Sequence, residues 1–352
     1  IIDPETGCPN FFSLKANYKI VENMIEEGMV ASACSVGYGG IAEALFKMGL
    51  GNRIGFKMRA NMTTHQMFEP MYGSIVLEMV SDSPTKEYTF ESCGEKLDMA
   101  ELQEIWESKL EPVYPYRKAG PAVEKINGSL TAPAAPKIGV AKPKVIIPVF
   151  PGTNCEYDTA KAFARAGADP EILVIRNLTP ADVAESCEAL VKELDEAQIL
   201  MLPGGFSGGD EPDGSAKFIA SFFRSPAVTE AVRRLLQQRD GLMLGICNGF
   251  QALIKLGLVP YGDIVDATPD APTLTFNTIG RHQSRLVRTR ISSNLSPWLS
   301  QCSLDDPYTV AISHGEGRFV ANDDVLAQLI ANGQVATQYV GEDGKPSMDL
   351  SV

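Results

Sequence analysis

From residue 143 onward the sequence predicts a doubly wound, mostly parallel open α/β sheet, with a smaller α/β domain ahead of it. Three observations predict that class. Apolar runs of strand length, Val145 to Phe150, Glu171 to Ile175, Ile199 to Leu202 and Leu242 to Ile246, alternate with longer segments of helical period. Three of these runs, those starting at 145, 199 and 242, lead into glycine-containing turns, as strands do when their carboxyl ends build a site. Between them and the N-terminal part lies a stretch rich in proline, alanine and glycine, residues 119–142, with no sustained apolar period, which reads as a semi-rigid linker. The expected organisation is therefore a first domain over 1–118, the linker, and a second domain over 143–352.

In chain order, Ile20, Val21, Met24 and Ile25 recur at helical spacing and predict an amphipathic helix from Asn17 that ends at Gly28. VASACSVGYGGIAEALFKMGLG then reads as a short strand, a Gly37 to Gly40 turn and a helix from Ile41 to Met48. MFEPMYGSIVLEMVS gives a turn and a strand, Ser74 to Val80. Met99 to Leu110 is a further helix, with Trp106 expected as its core anchor and its acids facing water. Beyond the linker, helices are predicted at Asp158 to Ala166 and Ala181 to Leu194, and a continuous helical period at Phe218 to Gln238 with Arg224, Arg233, Arg234 and Arg239 on an exposed face. TLTFNTIGRHQSRLVRTRI alternates apolar with polar residues and predicts antiparallel strands, whose arginines read either as a docking surface for the acidic remainder or as a merely solvated charge run.

Composition narrows the function classes. A chain of 352 residues is expected to hold two or three domains, and 44% apolar residues suffice for their cores. A net charge of −13 argues against a nucleic-acid or anionic-membrane binder. Seven cysteines without zinc-ligand spacing point to a reducing, cytoplasmic setting, with neither a disulfide framework nor a structural metal. No apolar run is long enough to span a membrane. The opening IIDPETGCPNFF has neither an initiator methionine nor a signal-like core, so the chain is expected to begin inside a longer polypeptide.

The chemistry is concentrated in GLMLGICNGFQALIKLGL. Cys247 lies between an apolar strand and a helical period, and Gly245 and Gly249 flank it, which is the pattern of an elbow that presents a nucleophile above a sheet. Amides of the following helix's first turn favour negative charge there. Downstream, ISHGEGRF places His314 and Glu316 two apart after an apolar run, so both are expected on one side of a strand, the acid orienting the imidazole. Upstream, ILMLPGGFSGGD ends a strand in a glycine-rich turn, where the backbone amides of Gly204, Gly205 and Phe206 are candidates, together with that of Asn248, for holding an oxyanion. Gln251, one helical turn past Cys247, is a candidate for the substrate pocket, and Cys155 reads as a residue of packing or of substrate-side shaping. His282 is a second candidate base, ranked below His314 because no acid follows it at the same spacing.

This ordered set resembles the class I, triad-type glutamine amidotransferases: GICNGFQ matches their G-x-C-x-G-x-Q and SHGEGR their H-x-E. With KPKVIIPVFPGTNCEYDTAKAFARAGA, LPGGFSGGD and SHGEGRF, residues 143–352 look like the glutaminase part of the phosphoribosylformylglycinamidine synthase family. The resemblance implies a flavodoxin-like sheet and the catalytic set Cys247, His314 and Glu316. Glutamine is the implied nitrogen donor, and no cofactor or metal is implied in this domain. ATP and Mg²⁺ would serve the remainder of the synthase, the partner that converts formylglycinamide ribonucleotide to its amidine. Residues 1–118 resemble the end of the synthetase region, similar to the C-terminal domain of the aminoimidazole ribonucleotide synthetase-like fold. There CSVGYGG stands where relatives carry an H-D-x-S-D-G-G type loop, so its histidine and acids are missing. Asn277 fits an N-x-S-x-x-F-like pattern, while Ile279 and His282 replace its serine and phenylalanine. The family pattern also continues past SMDLSV, so the last elements of the sheet are expected to be missing. A stand-alone cysteine hydrolase of this fold, a separate glutaminase subunit and an inactive scaffold are the competing readings.

Overall fold

The computed structural model describes residues 3, 5–58, 62–80, 87–92, 94–115, 120, 122–128, 139–208, 210 and 215–348. It divides into two compact units, Ile1–Tyr114 and Pro115–Val352. Half of the predicted linker, the last residues of SMDLSV and Gly209 of the glycine-rich turn lie outside the described residues.

In the first unit, helix α1 (Phe11–Glu26) starts well before the predicted Asn17, because the Asn10 side chain accepts from the Ser13 amide and caps it there. The apolar period did not reveal this start, since Phe11 and Phe12 face solvent. The chain continues through β1 (Val30–Ser35), α2 (Gly40–Leu50), β2 (Phe56–Lys57), α3 (Thr64–Phe68), β3 (Ile75–Met79), β4 (Thr89–Ser92), β5 (Glu95–Asp98) and α4 (Met99–Ser108). β1 pairs antiparallel with β3, and β2–β4–β5 form a second small sheet. Ala42, Met67, Phe90 and Met99 are its buried centre. Trp106 is not the expected core anchor: it is 52% exposed and packs edge-on against Phe46 at 5.9 Å, while Met99 at the start of the same helix is the residue that is fully buried.

The second unit opens with β6 (Lys144–Val149), α5 (Glu156–Arg165), β7 (Asp169–Val174), α6 (Pro180–Glu196), β8 (Ile199–Leu202), α7 (Lys217–Phe223), α8 (Pro226–Arg233), β9 (Leu242–Gly245), α9 (Asn248–Leu256) and the single turn α10 (Leu258–Tyr261). Four of these strands form one parallel sheet in the order β7–β6–β8–β9, which is the flavodoxin-like order as far as it goes. Side chains alternate across it. Ile146, Leu200 and Leu202 face a core shared with α6 to α9, whereas Val145, Ile147 and Met201 face a second core that Phe163 of α5 joins. Helices thus cover both faces, as a parallel sheet requires. β9 is the edge strand, and its residues are only half-buried rather than enclosed as its apolar run suggested. The Trp298 indole, which donates to Met243 O at 3.2 Å, covers part of that edge.

The predicted continuous helix over 218–238 is three pieces. Pro226, which lacks an amide proton, can only begin a helix, so α7 ends at Phe223, α8 restarts at Pro226, and a π-helical turn, Arg234–Gln238, closes the segment. Its arginines are not simply solvated. Arg224 donates to Lys255 O, Arg233 pairs with Asp263 at 2.8 Å, Arg234 with Asp195, and Arg239 holds the carbonyls at the end of α6.

The remaining strands are β10 (Thr273–Thr275), β11 (Gln283–Ile291), β12 (Pro307–His314), β13 (Arg318–Val320) and, after α11 (Asp323–Ala331), β14 (Thr337–Val340). All pair antiparallel, in the sheets β12–β11–β14 and β10–β13, so parallel pairing is confined to the first four strands of the unit. Arg290 of β11 departs from the expected arginine surface, whereas Arg288 of the same strand is exposed. Arg290 is 2% exposed, bonded to Asp305, Ile126 O, Gln338 and the Asn127 side chain. It thereby fixes part of the predicted linker: Ile126 N–H donates to Gln338 Oε1 at 2.9 Å and Gly128 N–H to Ser292 O at 2.7 Å. Residues 124–128 are a strap on this unit rather than a free spacer. No helix among the described residues is long and apolar enough to cross a membrane.

Candidate active site

Cys247 stands between β9 and α9 with φ 53° and ψ −113°, a backbone conformation that costs a non-glycine residue about 1–3 kcal/mol. The surroundings enforce it. A Cβ on Gly249 would lie 2.0 Å from Leu202 O, so only glycine lets the first turn of α9 sit directly on the end of β8. A Cβ on Gly204 would lie 3.1 Å from the Cys247 Cβ, so the glycine-rich turn after β8 backs directly onto the thiol residue. Cys247 itself is exposed, at the N-terminus of a helix whose first amide, that of Asn248, has no acceptor among the described residues.

The same turn is held from its other side. Asn154 N–H donates to Gly204 O at 2.9 Å and Phe206 N–H to Gly152 O at 3.0 Å. Phe206 is therefore removed from the candidate oxyanion donors: its amide is already used, and its ring is 76% exposed. The amides of Gly204, Gly205 and Asn248 have no acceptor among the described residues. The Asn248 side chain locks the arrangement from below, its Nδ2 donating to Asp210 Oδ2 at 2.9 Å and to Gln251 Oε1 at 3.0 Å, while its Oδ1 accepts from Ser207 N–H. Asp210 in turn accepts from Ser207 Oγ and Ala216 N–H. Nothing in the sequence singled out Ser207 or Asp210, although both lie inside the glycine-rich motif.

Gln251 reaches the histidine turn. Its Nε2 donates to Glu316 O at 2.9 Å, joining α9 one turn past Cys247 to the bend after β12. His314 is the last residue of β12 and Glu316 lies in that bend, so the two do not share a strand face as expected. The strand stops because Gly315 O accepts from Asn277 N–H at 2.8 Å, and the chain then turns into β13. The ring of His314 is met by Asn277: His314 Nδ1 and Asn277 Oδ1 are 2.8 Å apart, and no hydrogen bond joins the ring to Glu316 or to the Cys247 thiol. Asn277 is 4% exposed and was noted in the sequence only as part of a pattern, because its partner lies far along the chain and no local period links them.

Burial, and secondly the charge of His282, hold His314 below the ordinary histidine range of about 6.5, which favours the neutral ring. His282 is exposed and bonds Ser313 Oγ at 2.9 Å, so it borders the turn without entering it. Burial also pulls the Lys255 ammonium down, opposed by the nearby carboxylates of Glu316 and Asp210. Cys155, at the start of α5 and in a left-handed conformation, has its thiol pushed up by desolvation first and by the charge of Cys247 second. The geometry therefore supplies an exposed thiol, three unused candidate amides, and a half-buried neutral imidazole held by an amide, with no cluster of metal-binding side chains among the described residues.

Residues 142–352 match the CobB/CobQ-like glutamine amidotransferase domain. The phosphoribosylformylglycinamidine synthase subunit PurQ of Methanococcus maripaludis is 31% identical over 210 residues, covering 58% of this chain and 70% of that protein. Its counterpart in Dehalococcoides mccartyi is 33% identical over 206 residues, covering 58% and 72%. Among solved structures, that of PurLQS from Thermotoga maritima is similar at 24% identity and a TM-score of 0.42, over 60% of this chain and 80% of that one. Through residues 142–352, more than half of its length, the chain belongs to the CobB/CobQ-like glutamine amidotransferase family.

Proposed function

We propose that residues 143–352 are the glutaminase domain of a phosphoribosylformylglycinamidine synthase, releasing ammonia from glutamine for the ATP-dependent conversion of formylglycinamide ribonucleotide to its amidine in purine biosynthesis. The observation that carries this reading is the elbow at Cys247 tied through Gln251 to the turn of His314 and Glu316. The names of the relatives supply the pathway. Cys247, His314 and Glu316 are the catalytic set. The thiolate attacks the side-chain carbonyl carbon of glutamine, and the amides of Gly205 and Asn248 hold the oxyanion, each such donor being worth on the order of 3 kcal/mol. His314 hands the thiol proton to the departing amine, ammonia leaves, and His314 then takes a proton from the water that hydrolyses the thioester. Glu316 is the acid of the H-x-E pair in this set.

Residues 1–118 are, on this reading, a partial synthetase domain resembling the C-terminal domain of the aminoimidazole ribonucleotide synthetase-like fold, and 119–142 the linker. ATP and Mg²⁺ would be held by the partner, the remainder of the synthase. The turn at Gly37 to Gly40 does not fit a nucleotide phosphate. Gly39 N–H donates to Glu43 Oε2 at 2.7 Å, so a carboxylate paired with Lys47 already takes the start of α2. The absence of the histidine and acids of the family loop points the same way.

The test uses glutamine carrying ¹⁵N in its amide. The protein should form glutamate and labelled ammonia, and label should enter the amidine only when the synthetase component, ribonucleotide and Mg-ATP are added. Calorimetry of the protein alone with Mg-ATP should show no tight binding. If no glutamate forms even with the synthetase component present, the proposal is wrong.

A pH dependence follows. Because His314 must be neutral to act as base and its pKa is lowered, the acid limb of kcat/KM should lie below pH 6.5. His282→Gln removes a like charge, so the His314 pKa rises and that limb should move to higher pH. It should stay below 6.5, since burial, the larger cause, is untouched. A limb that moves down, or stays in place, would show that His282 does not act on this base.

A further inference from the structure

We infer that Asn277 is the positioning residue of this site, fixing which nitrogen of His314 carries the proton and how the ring is aimed. The inference rests on the reading of His314 as the base, and it adds an orienting group outside the H-x-E motif.

The argument is one of hydrogen-bond satisfaction. Asn277 is buried, and its side-chain amide has two faces with different demands. Nδ2 lies 2.8 Å from His314 O and 3.0 Å from Arg281 O, both carbonyl oxygens that can only accept. The NH₂ group must therefore be on that side, since turning the amide over would set its oxygen against two other oxygens. Oδ1 is thereby committed to the side of the ring, 2.8 Å from His314 Nδ1. An amide oxygen cannot donate, so Nδ1 carries the proton, and in the neutral ring Nε2 is left with the free lone pair. Nε2 is the nitrogen available to a thiol and a departing amine.

Asn277 also sets the pitch of the turn. Its own N–H donates to Gly315 O at 2.8 Å, so one residue grips the successive carbonyls of His314 and Gly315 and the ring of His314. No acid among the described residues touches Nδ1. A neutral acceptor stabilises the imidazolium less than a carboxylate would, which suits a base that must return its proton to the leaving amine.

The experiment reads the tautomer directly. With only three histidines, His65, His282 and His314, ¹⁵N-labelled imidazole signals can be assigned by single His→Gln substitutions. Above the titration of the ring, wild-type His314 should show a protonated Nδ1 and an unprotonated Nε2. In Asn277→Leu the signals should shift toward an exchanging mixture or the opposite tautomer, and kcat for glutaminase should fall about 10²- to 10⁴-fold, the range of a positioned acid–base group, with little change in KM. In Asn277→Asp, which keeps an acceptor for Nδ1, the wild-type tautomer should persist and the acid limb of kcat/KM should move to higher pH. Finding Nε2 protonated in the wild type overturns the inference without any variant having to fold. So does an unchanged tautomer in Asn277→Leu. A tautomer that changes as stated while glutaminase stays at the wild-type level would support the positioning and overturn instead the role of His314.

Discussion

Cys247→Ala is expected to lower glutamine hydrolysis by about four orders of magnitude or more, the scale on which triad hydrolases lose activity when the nucleophile is removed. No other cysteine among the described residues is placed to replace it. Cys155 is the nearest competitor, since it also begins a helix and its thiol feels the charge of Cys247. Yet desolvation and that same charge both push the Cys155 thiol toward its neutral form, and the thiolate is the reacting species. Cys34, Cys187 and Cys302 are partly buried, and Cys8 lies in the first unit, where no site of this kind is built. A glutamine-mimicking electrophile at neutral pH should therefore modify Cys247 first, and Cys155→Ala should keep most of the activity. Mass spectrometry that finds Cys155 modified before Cys247, together with glutaminase surviving Cys247→Ala, would end the nucleophile assignment.

What the sequence disclosed about this site was its local half. The runs at 145 and 199 could be read because a strand buried on both faces is apolar at nearly every position, the run at 242 because it is apolar although it is the half-buried edge, and the elbow because glycine spacing around a cysteine is a short-range pattern. The partners of His314 were not readable in the same way. H-x-E suggested a shared strand face, but Asn277 ends the strand at His314 by bonding the next carbonyl, a contact between segments with no common period. Phe206 was taken as a donor because it lies in a glycine-rich turn, and it drops out because Gly152, from a different strand end, accepts its amide. The arginines failed for another reason. Charge along a helix period says where a side chain points on average, whereas Arg239 and Arg290 fold back on carbonyls and carboxylates contributed by other elements. Trp106 shows the converse, a large apolar side chain left half-exposed because Met99 fills the centre. Periodicity thus located the scaffold, and hydrogen-bond partners distant in sequence decided the site.

The elbow is held by backbone contact, which makes its glycine a sensitive point. Gly249→Ala should destabilise the protein toward the upper end of the ~1–3 kcal/mol that overpacking costs, and glutaminase should fall with it. The added Cβ would stand 2.0 Å from Leu202 O and 2.6 Å from Leu202 C, and neither is a flexible side chain able to move aside. Relief requires α9 to lift from the end of β8. That movement loosens the Ile246 N–H bond to Leu202 O, 3.1 Å long, which anchors the residue before Cys247. It also shifts Asn248, whose amide is one of the unused donors, and Gln251, whose bond to Glu316 O keeps the histidine turn in place. One methyl group therefore disturbs the thiol, the oxyanion donor and the base together. The loss should appear in kcat and in the rate of Cys247 alkylation as well as in the denaturant midpoint, with the slope of the unfolding transition unchanged. A Gly249→Ala protein that unfolds at the wild-type midpoint and turns over glutamine at the wild-type rate would show that α9 does not press on β8, and with that the geometric basis for the strained elbow would be gone.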